Sequence, residues 1–551
     1  MIPVPPRLAD LNYQHFQSPG DWREYQAETI SRIINSPKRF VLVQAPTGAG
    51  KSPIAVAASD LIEPKVLRHM WEGSKNDATG RLVELVPQSS ILTTTKQLQA
   101  QYLWDFQDRA IELKGKSNYD CIIEPVTADQ APCNVTGSKA CPARSSCPYY
   151  QTRDLAVTKP LGIHNYANYL TNVNYTGTFA DQTMLILDEA HLLDDQLMGF
   201  ISRGINLYTC RKLDILPPTS NIQRGLSLPF HEWQGWAKTW EAELTGQVER
   251  MYQALKTRLE PDLELRRTWN QAKTLLGTMK YLIQAKEPWI CTPLEDYGWE
   301  FKPVWIGQYA EDLLYRYASK VVLMSATILD PIVLAKLVGI NPDDLEFIDV
   351  PSTFPIGSRP IYYNPQMVVK GGMKDAELKP LLDSIYRTCR EHEGEKGLIH
   401  TVSFPLAQAI VRQAPDDVKY RLMGHNSKDR LRVYEEFRAS NEDRILISPS
   451  MKEGISLEDN QCRFIVVAKV PFPYLGDPQT KARMDSPMGR DWYAWRSFCD
   501  LIQMTGRGMR SVEDYCAVYI LDQAFGRLFN SMRRFVPKYW KNDLVDVKGA
   551  L

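Results

Sequence analysis

The chain has 551 residues, of which 44% are hydrophobic and 24% are charged, as is ordinary for a globular protein. This length is too great for one hydrophobic core and predicts about two to four domains. Lys and Arg number 65, as do Asp and Glu, which excludes a global basic field, so nucleic acid would have to bind through local patches or a lined groove.

Short apolar runs alternate with helical patterns along the chain, which is typical of parallel α/β domains. The first series predicts strands at 40–44, 82–86, 184–187 and 321–324. A second series begins near residue 355 and predicts strands at 398–400, 444–447, 464–468 and 516–521, with helices at 406–412, 428–438 and 491–504. Two α/β domains in tandem are the simplest interpretation.

The segment after the first predicted strand has the pattern of a phosphate-binding loop. Its glycines allow backbone N–H groups to close around a β-phosphate, and the following helix adds its N-terminal dipole. Lys51 supplies charge for the β- and γ-phosphates, and Ser52 offers a hydroxyl to Mg²⁺. Ala45 stands where the strict pattern has glycine. The residues predicted to contact nucleotide are Thr47, Gly48, Ala49, Gly50, Lys51 and Ser52.

An insertion at roughly 115–160 contains a group of cysteines. They are Cys121, Cys133, Cys141 and Cys147. The segment 1–16 lacks the apolar stretch of a secretory signal, and no apolar run approaches the roughly 18 residues of a membrane span, so a reducing compartment is expected. There, clustered cysteines bind metal more often than they form disulfides. An iron–sulfur cluster, a four-cysteine zinc site and free thiols are the alternatives, and the lack of paired C-x-x-C knuckles favours the first.

An acidic box follows the predicted strand 184–187. Asp188 is expected at the carboxyl edge of the sheet, where ligands bind in such folds, with a role in holding Mg²⁺ through water. Glu189 is expected to orient and deprotonate the attacking water. The alternative is a solvated pair of acids that caps a helix. That alternative does not account for His191 or for the upstream phosphate loop.

A second insertion, at roughly 200–310, has a helical pattern. Apolar residues recur at steps of three and four, which marks one face of a helix. They are Trp233, Trp236, Trp240, Leu244, Val248, Met251 and Leu255, followed by Trp269, Leu276, Met279 and Ile283 of a second helix. The favoured interpretation is that these aromatic residues form the core of a helical subdomain, and direct stacking on nucleic-acid bases is the alternative.

The segment 503–510 places Gln503 ahead of two arginines, Arg507 and Arg510, which are three residues apart and expected on one helix face. Planar guanidinium groups suit developing charge on a γ-phosphate. A basic helix end at the surface is the alternative. Because the segment closes the second α/β series, both arginines are expected to reach across an interdomain cleft whose closure on ATP converts hydrolysis into motion.

Taken together, these motifs resemble those of the XPD/DinG family of superfamily 2 helicases, from about residue 20 to 525. Gln26 resembles the adenine-side glutamine of that family. The segments 93–98, 301–303 with 322–327, and 453–457 with 471–473 resemble its motif Ia, its motif III with the run that precedes it, and its motif V region. Ser456 departs from the aspartate that the family usually has in motif V.

The resemblance implies two tandem RecA-like parallel-sheet domains, the first interrupted by a small cysteine-rich insertion and a helical, Arch-like insertion. Motor domain 1 is expected at 1–115, 161–198 and 313–352, the cluster domain at 116–160, the Arch-like domain at 199–312 and motor domain 2 at 353–551. The resemblance also implies that the four cysteines hold a [4Fe–4S] cluster and that Gly454 belongs to the nucleotide site.

The activity implied is that of an ATP-dependent DNA helicase, monomeric, moving 5′ to 3′ on single-stranded DNA, in the cytoplasm or at the nucleoid. Its expected partners are single-stranded DNA and forked or tailed duplex, with DNA–RNA hybrids as a further candidate. A translocase without sustained unwinding and a DNA-binding subunit with a decayed ATPase are the alternatives. The residues expected to grip the strand are Thr94, Thr95, Lys96, Ser403 and Lys452.

Overall fold

The structure is a computed structural model that describes residues 2–13, 16, 20–63, 88–257, 262–295, 297–449, 457, 459–509 and 514–551. The strand predicted at 82–86 lies outside these residues. Within the described ranges, no helix has both the length and the apolar character needed to cross a membrane.

The first lobe is built on a parallel sheet of seven strands. In spatial order they are Leu345–Asp349, Phe40–Gln44, Ala318–Ser325, Gln182–Asp188, Gln88–Thr93, Leu161–Asn165 and Ala110–Glu112. Every residue of Phe40–Gln44 and Gln182–Asp188 is buried, as expected of central parallel strands that are covered on both faces. The strands predicted at 40–44, 184–187 and 321–324 are confirmed.

The second lobe contains another seven-stranded parallel sheet. In spatial order its strands are Leu422–Gly424, Ile445–Ser448, Gly397–His400, Phe464–Val467, Ala517–Asp522, Ile361–Met367 and Leu544–Asp546. The four predicted strands of the second series are confirmed. They are neighbours in the sheet, where the strand at 445–448 comes before the one at 397–400. Two tandem α/β lobes are therefore the fold, as the sequence predicts.

Each sheet is covered on both faces. Val41 and Leu42, neighbours on one strand, belong to separate hydrophobic clusters, as do Leu398 and Ile399 in the second lobe. The helices of the first lobe are Gln26–Asn35, Lys51–Leu61, Lys96–Asp105, Tyr166–Thr171, Leu193–Ile201, Gly307–Leu313 and Pro331–Leu337. Those of the second lobe are Asp375–Glu391, Phe404–Gln413, Asp416–Lys419, Arg430–Ala439, Pro478–Met484, Gly489–Thr505, Ala524–Met532 and Lys538–Asn542.

The second insertion is a helical hairpin that packs on a small antiparallel sheet. Its elements are Arg203–Asn206, Leu207–Lys212, Ile222–Ser227, Phe230–Thr257, Leu263–Gln284, Ile290–Pro293 and Gly298–Lys302. Trp233 is fully buried. The centroid of its ring lies 4.8 Å from that of Trp299 and 5.0 Å from that of Phe301. This packing confirms the core interpretation for Trp233, whereas the three short strands were not expected.

The cysteine-rich insertion contains the short helices Cys133–Thr136 and Pro148–Ala156 and contacts the helical hairpin. Arg266 of the hairpin donates to both carboxylate oxygens of Glu124, at 2.9 and 3.2 Å, and to the carbonyl oxygen of Gln130 at 2.5 Å. Both members of this ion pair are largely buried, so the two insertions are joined by a specific contact rather than by a solvated one.

Candidate functional site

A single cleft lies where the carboxyl edge of the first sheet faces the second lobe. Its volume is about 500 Å³, within the range of small-molecule sites. Most of the residues predicted for the nucleotide site and the acidic box line it. They are Gln26, Thr47, Gly48, Gly50, Lys51, Ser52, Asp188, Glu189, His191, Gln503 and Arg507. The topology explains the convergence, because neighbouring parallel strands end at the same edge.

The phosphate loop has the backbone that its sequence predicts. Gly48 and Gly50 have φ angles of +82° and +77°, a region that favours glycine, and Lys51 begins the helix Lys51–Leu61. Ala45 is fully buried and its N–H donates to the carbonyl oxygen of Ser325 at 2.9 Å, so it continues the strand and has no positive φ. Alanine is therefore compatible with this position.

Gln26 is buried and holds the phosphate loop. Its Nε2 donates to the carbonyl oxygen of Ala49 at 3.0 Å, and its Oε1 accepts from the N–H of Arg23 at 3.0 Å. Arg23 in turn donates to the carbonyl oxygen of Gly48 at 2.6 Å. Both ends of the Gln26 amide are thus bonded to the protein backbone around the loop.

The two carboxylates of the acidic box differ in environment. Asp188 is buried, and its oxygens accept from the Tyr102 hydroxyl at 3.0 Å and the Glu189 N–H at 2.9 Å. Burial raises the pKa of Asp188, the charge of Glu189 adds to the rise, and the ammonium of Lys51 opposes it. Glu189 has a φ of 52°, a left-handed conformation that is uncommon outside glycine and costs backbone strain.

A chain of hydrogen bonds runs from the acidic box to the second lobe. His191 Nδ1 lies 2.8 Å from Ser325 Oγ, which lies 3.3 Å from Thr327 Oγ1. Gln503 Nε2 of the second lobe donates to Thr327 Oγ1 at 3.2 Å. Burial lowers the pKa of His191 to about 4, so the imidazole is neutral at neutral pH and acts as a hydrogen-bonding group rather than a charge.

The arginine segment differs from its predicted conformation. The helix Gly489–Thr505 ends before Gly506, and Arg507 lies in the turn that follows. The expectation that the arginines share a helix face is therefore wrong for Arg507, although this side chain does line the cleft. Arg510, Gly454, Lys452 and Ser456 lie outside the described residues.

The described residues that are predicted to grip DNA are divided between the two lobes. Thr94 and Thr95 line the nucleotide cleft, and Thr95 Oγ1 caps the next helix by accepting from the N–H of Leu98 at 3.2 Å. Lys96 is exposed at the first residue of that helix. Ser403 precedes the helix Phe404–Gln413 in the second lobe.

Sequence reasoning missed several residues that also line the cleft, among them Phe354, Arg359 and Tyr539. They lie between the two sheets or near the C-terminus and belong to no motif. The ring of Phe354 covers the phosphate loop so closely that a Cβ at Gly48 would lie 2.4 Å from it. Only spatial proximity identifies these residues, since their sequence neighbours carry no periodic or motif signal.

A second contact between the lobes lies beyond the acidic box. Arg483 of the second lobe forms a bidentate ion pair with Asp194, at 2.6 and 3.1 Å, and both side chains are buried. The guanidinium carbon lies 4.8 and 4.9 Å from the ring centroids of Trp305 and Trp492, which themselves pack edge to face. Asp194 belongs to the helix Leu193–Ile201, directly after the box.

The four clustered cysteines line one small cavity. None of the four forms a disulfide, all are half-buried, and apolar side chains such as Ile122 and Ala128 complete the walls. Burial raises the pKa of Cys133, and the neighbouring ammonium of Lys116 opposes the rise. In the part of the chain that the structure describes, no group of three or more His, Cys, Asp or Glu residues is arranged to hold a single metal ion. Four soft thiols around one cavity are a donor set that suits an iron–sulfur cluster and also a four-cysteine zinc site.

Comparisons with known proteins agree with this geometry. A sequence model of the DEAD/DEAH box helicases matches residues 23–221, which include the phosphate loop and the acidic box, and a model of the helicase C-terminal domain matches residues 385–543. A search of the curated proteins found no match to the chain.

Solved structures similar to the chain include three XPD proteins. "XPD_Helicase" has a TM-score of 0.62 at 16% identity, covering 95% of this chain and 99% of that one, and "XPD_APO" has 0.58 at 16%, covering 93% and 99%. The structure of S. tokodaii Xpd4 has 0.55 at 13%, covering 95% and 99%. With a DEAD/DEAH box helicase domain and a helicase C-terminal domain, the chain is an ATP-dependent helicase, and its fold is similar to that of the XPD helicases.

Proposed function

We propose that the protein is a DNA helicase that uses ATP hydrolysis to move 5′ to 3′ along single-stranded DNA and to separate duplex DNA. The observation that carries the proposal is the cleft itself. It combines the phosphate loop and acid pair of one lobe with Gln503 and Arg507 of the other, so a nucleotide bound there would contact both lobes.

The residues of the cleft divide the chemistry of hydrolysis between them. Ser52 and Asp188 would hold Mg²⁺, and both lie within hydrogen-bonding reach of the same Tyr102 hydroxyl, which supports a shared site. The metal ion, when bound, supplies charge stabilisation for the phosphates. Lys51 neutralises phosphate charge, Glu189 orients the attacking water, and Arg507 stabilises the charge that develops on the transferred phosphoryl group.

The hydrogen-bond chain through Thr327 links the acidic box to the second lobe, so a change at the box would be transmitted to Gln503. Gln503→Ala removes its last link, and the loss of one hydrogen bond in a partly buried network is expected to lower DNA-stimulated kcat for ATP about three- to tenfold. Steady-state phosphate release measures this. Gln413→Ala is the matched control, because its amide bonds only to the exposed Asp375. If the Gln503 variant hydrolyses ATP at the wild-type rate, Gln503 does not couple the second lobe to the acidic box.

We propose further that Cys121, Cys133, Cys141 and Cys147 hold a [4Fe–4S] cluster. The shared cavity and the nearby cation, Lys116, support the assignment, because a tetrathiolate centre carries net negative charge. The cluster would pin a segment with few regular elements of its own. Since Arg266 and Glu124 join this segment to the helical hairpin, the cluster would also fix the position of that hairpin.

A tailed-duplex assay tests the proposed function most directly. The protein is given ATP, Mg²⁺ and a duplex with either a 5′ or a 3′ single-stranded tail, and strand separation is followed by gel. Separation of the 5′-tailed duplex is expected. Separation of only the 3′-tailed duplex contradicts the polarity. DNA-stimulated hydrolysis without strand separation identifies a translocase, and hydrolysis that DNA does not stimulate contradicts the proposal.

A further inference from the structure

Arg359 is a buried cation whose hydrogen-bonding capacity is largely unused. The residue is 7% exposed, and its Nε atom is buried without a hydrogen-bond partner among the described residues. Its nearest carboxylate is Asp543, at 3.7 Å from a terminal nitrogen, which is an ion-pair distance rather than a hydrogen bond. The ring of Tyr539 lies 5.2 Å from the guanidinium carbon.

Asp543 does not account for the burial of this charge. Its Oδ1 accepts from the N–H of Gly357 at 2.9 Å, and its Oδ2 faces the guanidinium at 3.7 Å, which is beyond hydrogen-bonding distance. A guanidinium has five N–H donors, and buried donors in native proteins nearly always have partners. An unpartnered donor inside a ligand cleft therefore points to a group that the ligand supplies.

The position of Arg359 identifies the chemistry of that group. Arg359 lines the same cleft as Lys51 and Arg507, in a recess that it shares with Phe354 and Met509. The ring of Phe354 lies against the phosphate loop. The wall that carries Arg359 is thus in contact with the loop expected to hold phosphates, and a guanidinium is suited to bidentate recognition of phosphate oxygens.

We propose that Arg359 is a substrate-binding residue that contacts the phosphate chain of the nucleotide from the second lobe, in addition to the segment that contains Arg507. The proposal rests on the nucleotide cleft described under the proposed function. With this contact, the second lobe recognises phosphate at two points that are far apart in its sequence, one before its first strand and one after its long helix.

Equilibrium binding of nucleotides is the test. Arg359→Ala and Arg359→Lys are compared with the wild type by calorimetry with Mg²⁺ and three ligands: a non-hydrolysable ATP analogue, ADP and AMP. Arg359→Ala is expected to lower the affinity for the triphosphate analogue about ten- to a hundredfold, which corresponds to the loss of one charge-assisted hydrogen bond. The affinity for AMP is expected to fall much less. Arg359→Lys keeps the charge but not the planar fork, and an intermediate loss is expected.

Asp543→Asn is the control for a purely structural role, because it removes the ion pair and leaves the guanidinium in place. Its affinity for the triphosphate analogue is expected to stay near that of the wild type. The proposal is overturned if Arg359→Lys, folded with a wild-type melting temperature, binds all three ligands normally. An equal loss for AMP and the triphosphate overturns a contact with the β- and γ-phosphates, because AMP has neither.

A second variant distinguishes an error in the role of Arg359 from an error in assigning the cleft as the nucleotide site. If Lys51→Ala still binds the triphosphate analogue normally, the cleft is not the nucleotide site. The proposed function of the cleft and the role of Arg359 are then both rejected. If Lys51→Ala loses binding while both Arg359 variants keep it, only the role of Arg359 is rejected.

Discussion

Lys51→Ala is expected to abolish ATP hydrolysis, with turnover reduced at least about 10²- to 10³-fold. Lys51 opposes the charges of Asp188 and Glu189 in the cleft, so its loss leaves two carboxylates facing a polyanionic substrate. Phosphate release in the presence of single-stranded DNA measures the effect, and DNA binding by fluorescence anisotropy should be largely retained.

Lys336→Ala is the matched control for this prediction. Lys336 is an exposed lysine of the same lobe, near the end of the helix Pro331–Leu337, and its removal is expected to leave turnover unchanged. DNA-stimulated hydrolysis that persists in Lys51→Ala would show that the phosphate loop is not the site of catalysis.

Cys133→Ser is expected to eliminate the brown colour and visible absorbance of the protein purified without oxygen, because serine replaces one of four thiolate ligands. Loss of the cluster should also expose the segment 116–160 to limited proteolysis and abolish duplex unwinding, since this segment anchors the helical hairpin through Arg266 and Glu124. ATP hydrolysis should persist, because the cleft lies in a separate part of the fold.

Cys291→Ser is the control for the loss of any half-buried thiol. Cys291 lies in the small antiparallel sheet of the helical insertion, outside the cysteine cavity, and its replacement should leave iron content and colour unchanged. A colourless wild-type protein that contains zinc instead of iron would contradict the cluster assignment.

Much of the fold could be predicted from the chain because central parallel strands are continuous apolar runs. Phe40–Gln44 and Gln182–Asp188 are such runs, and each is followed by a motif. Convergence of Lys51, Asp188 and Glu189 then follows from topology alone. The arginine segment required knowledge of where a helix ends, and its conformation was predicted incorrectly at Arg507.

Contacts between residues far apart in the chain could not be predicted in the same way. Arg359 belongs to no motif and shares its recess with Phe354, Tyr539 and Asp543, which the sequence separates by up to 189 residues. The three short strands of the second insertion lack the length for a recognisable alternation. Thr94 and Thr95 were assigned to DNA contacts, and the structure adds that both line the cleft; their contact with DNA stays a prediction.

The buried pair of Arg483 and Asp194 has a mechanical consequence. The pair is buried and bidentate, and removing either partner would cost about 3–5 kcal/mol because it leaves the other charge buried and unpaired. We therefore expect the second lobe to swing about this point as a hinge, with little translation away from the first. Because Asp194 lies only six residues after Asp188 in the sequence, the hinge point and the hydrolytic acids are carried by the same short stretch of chain.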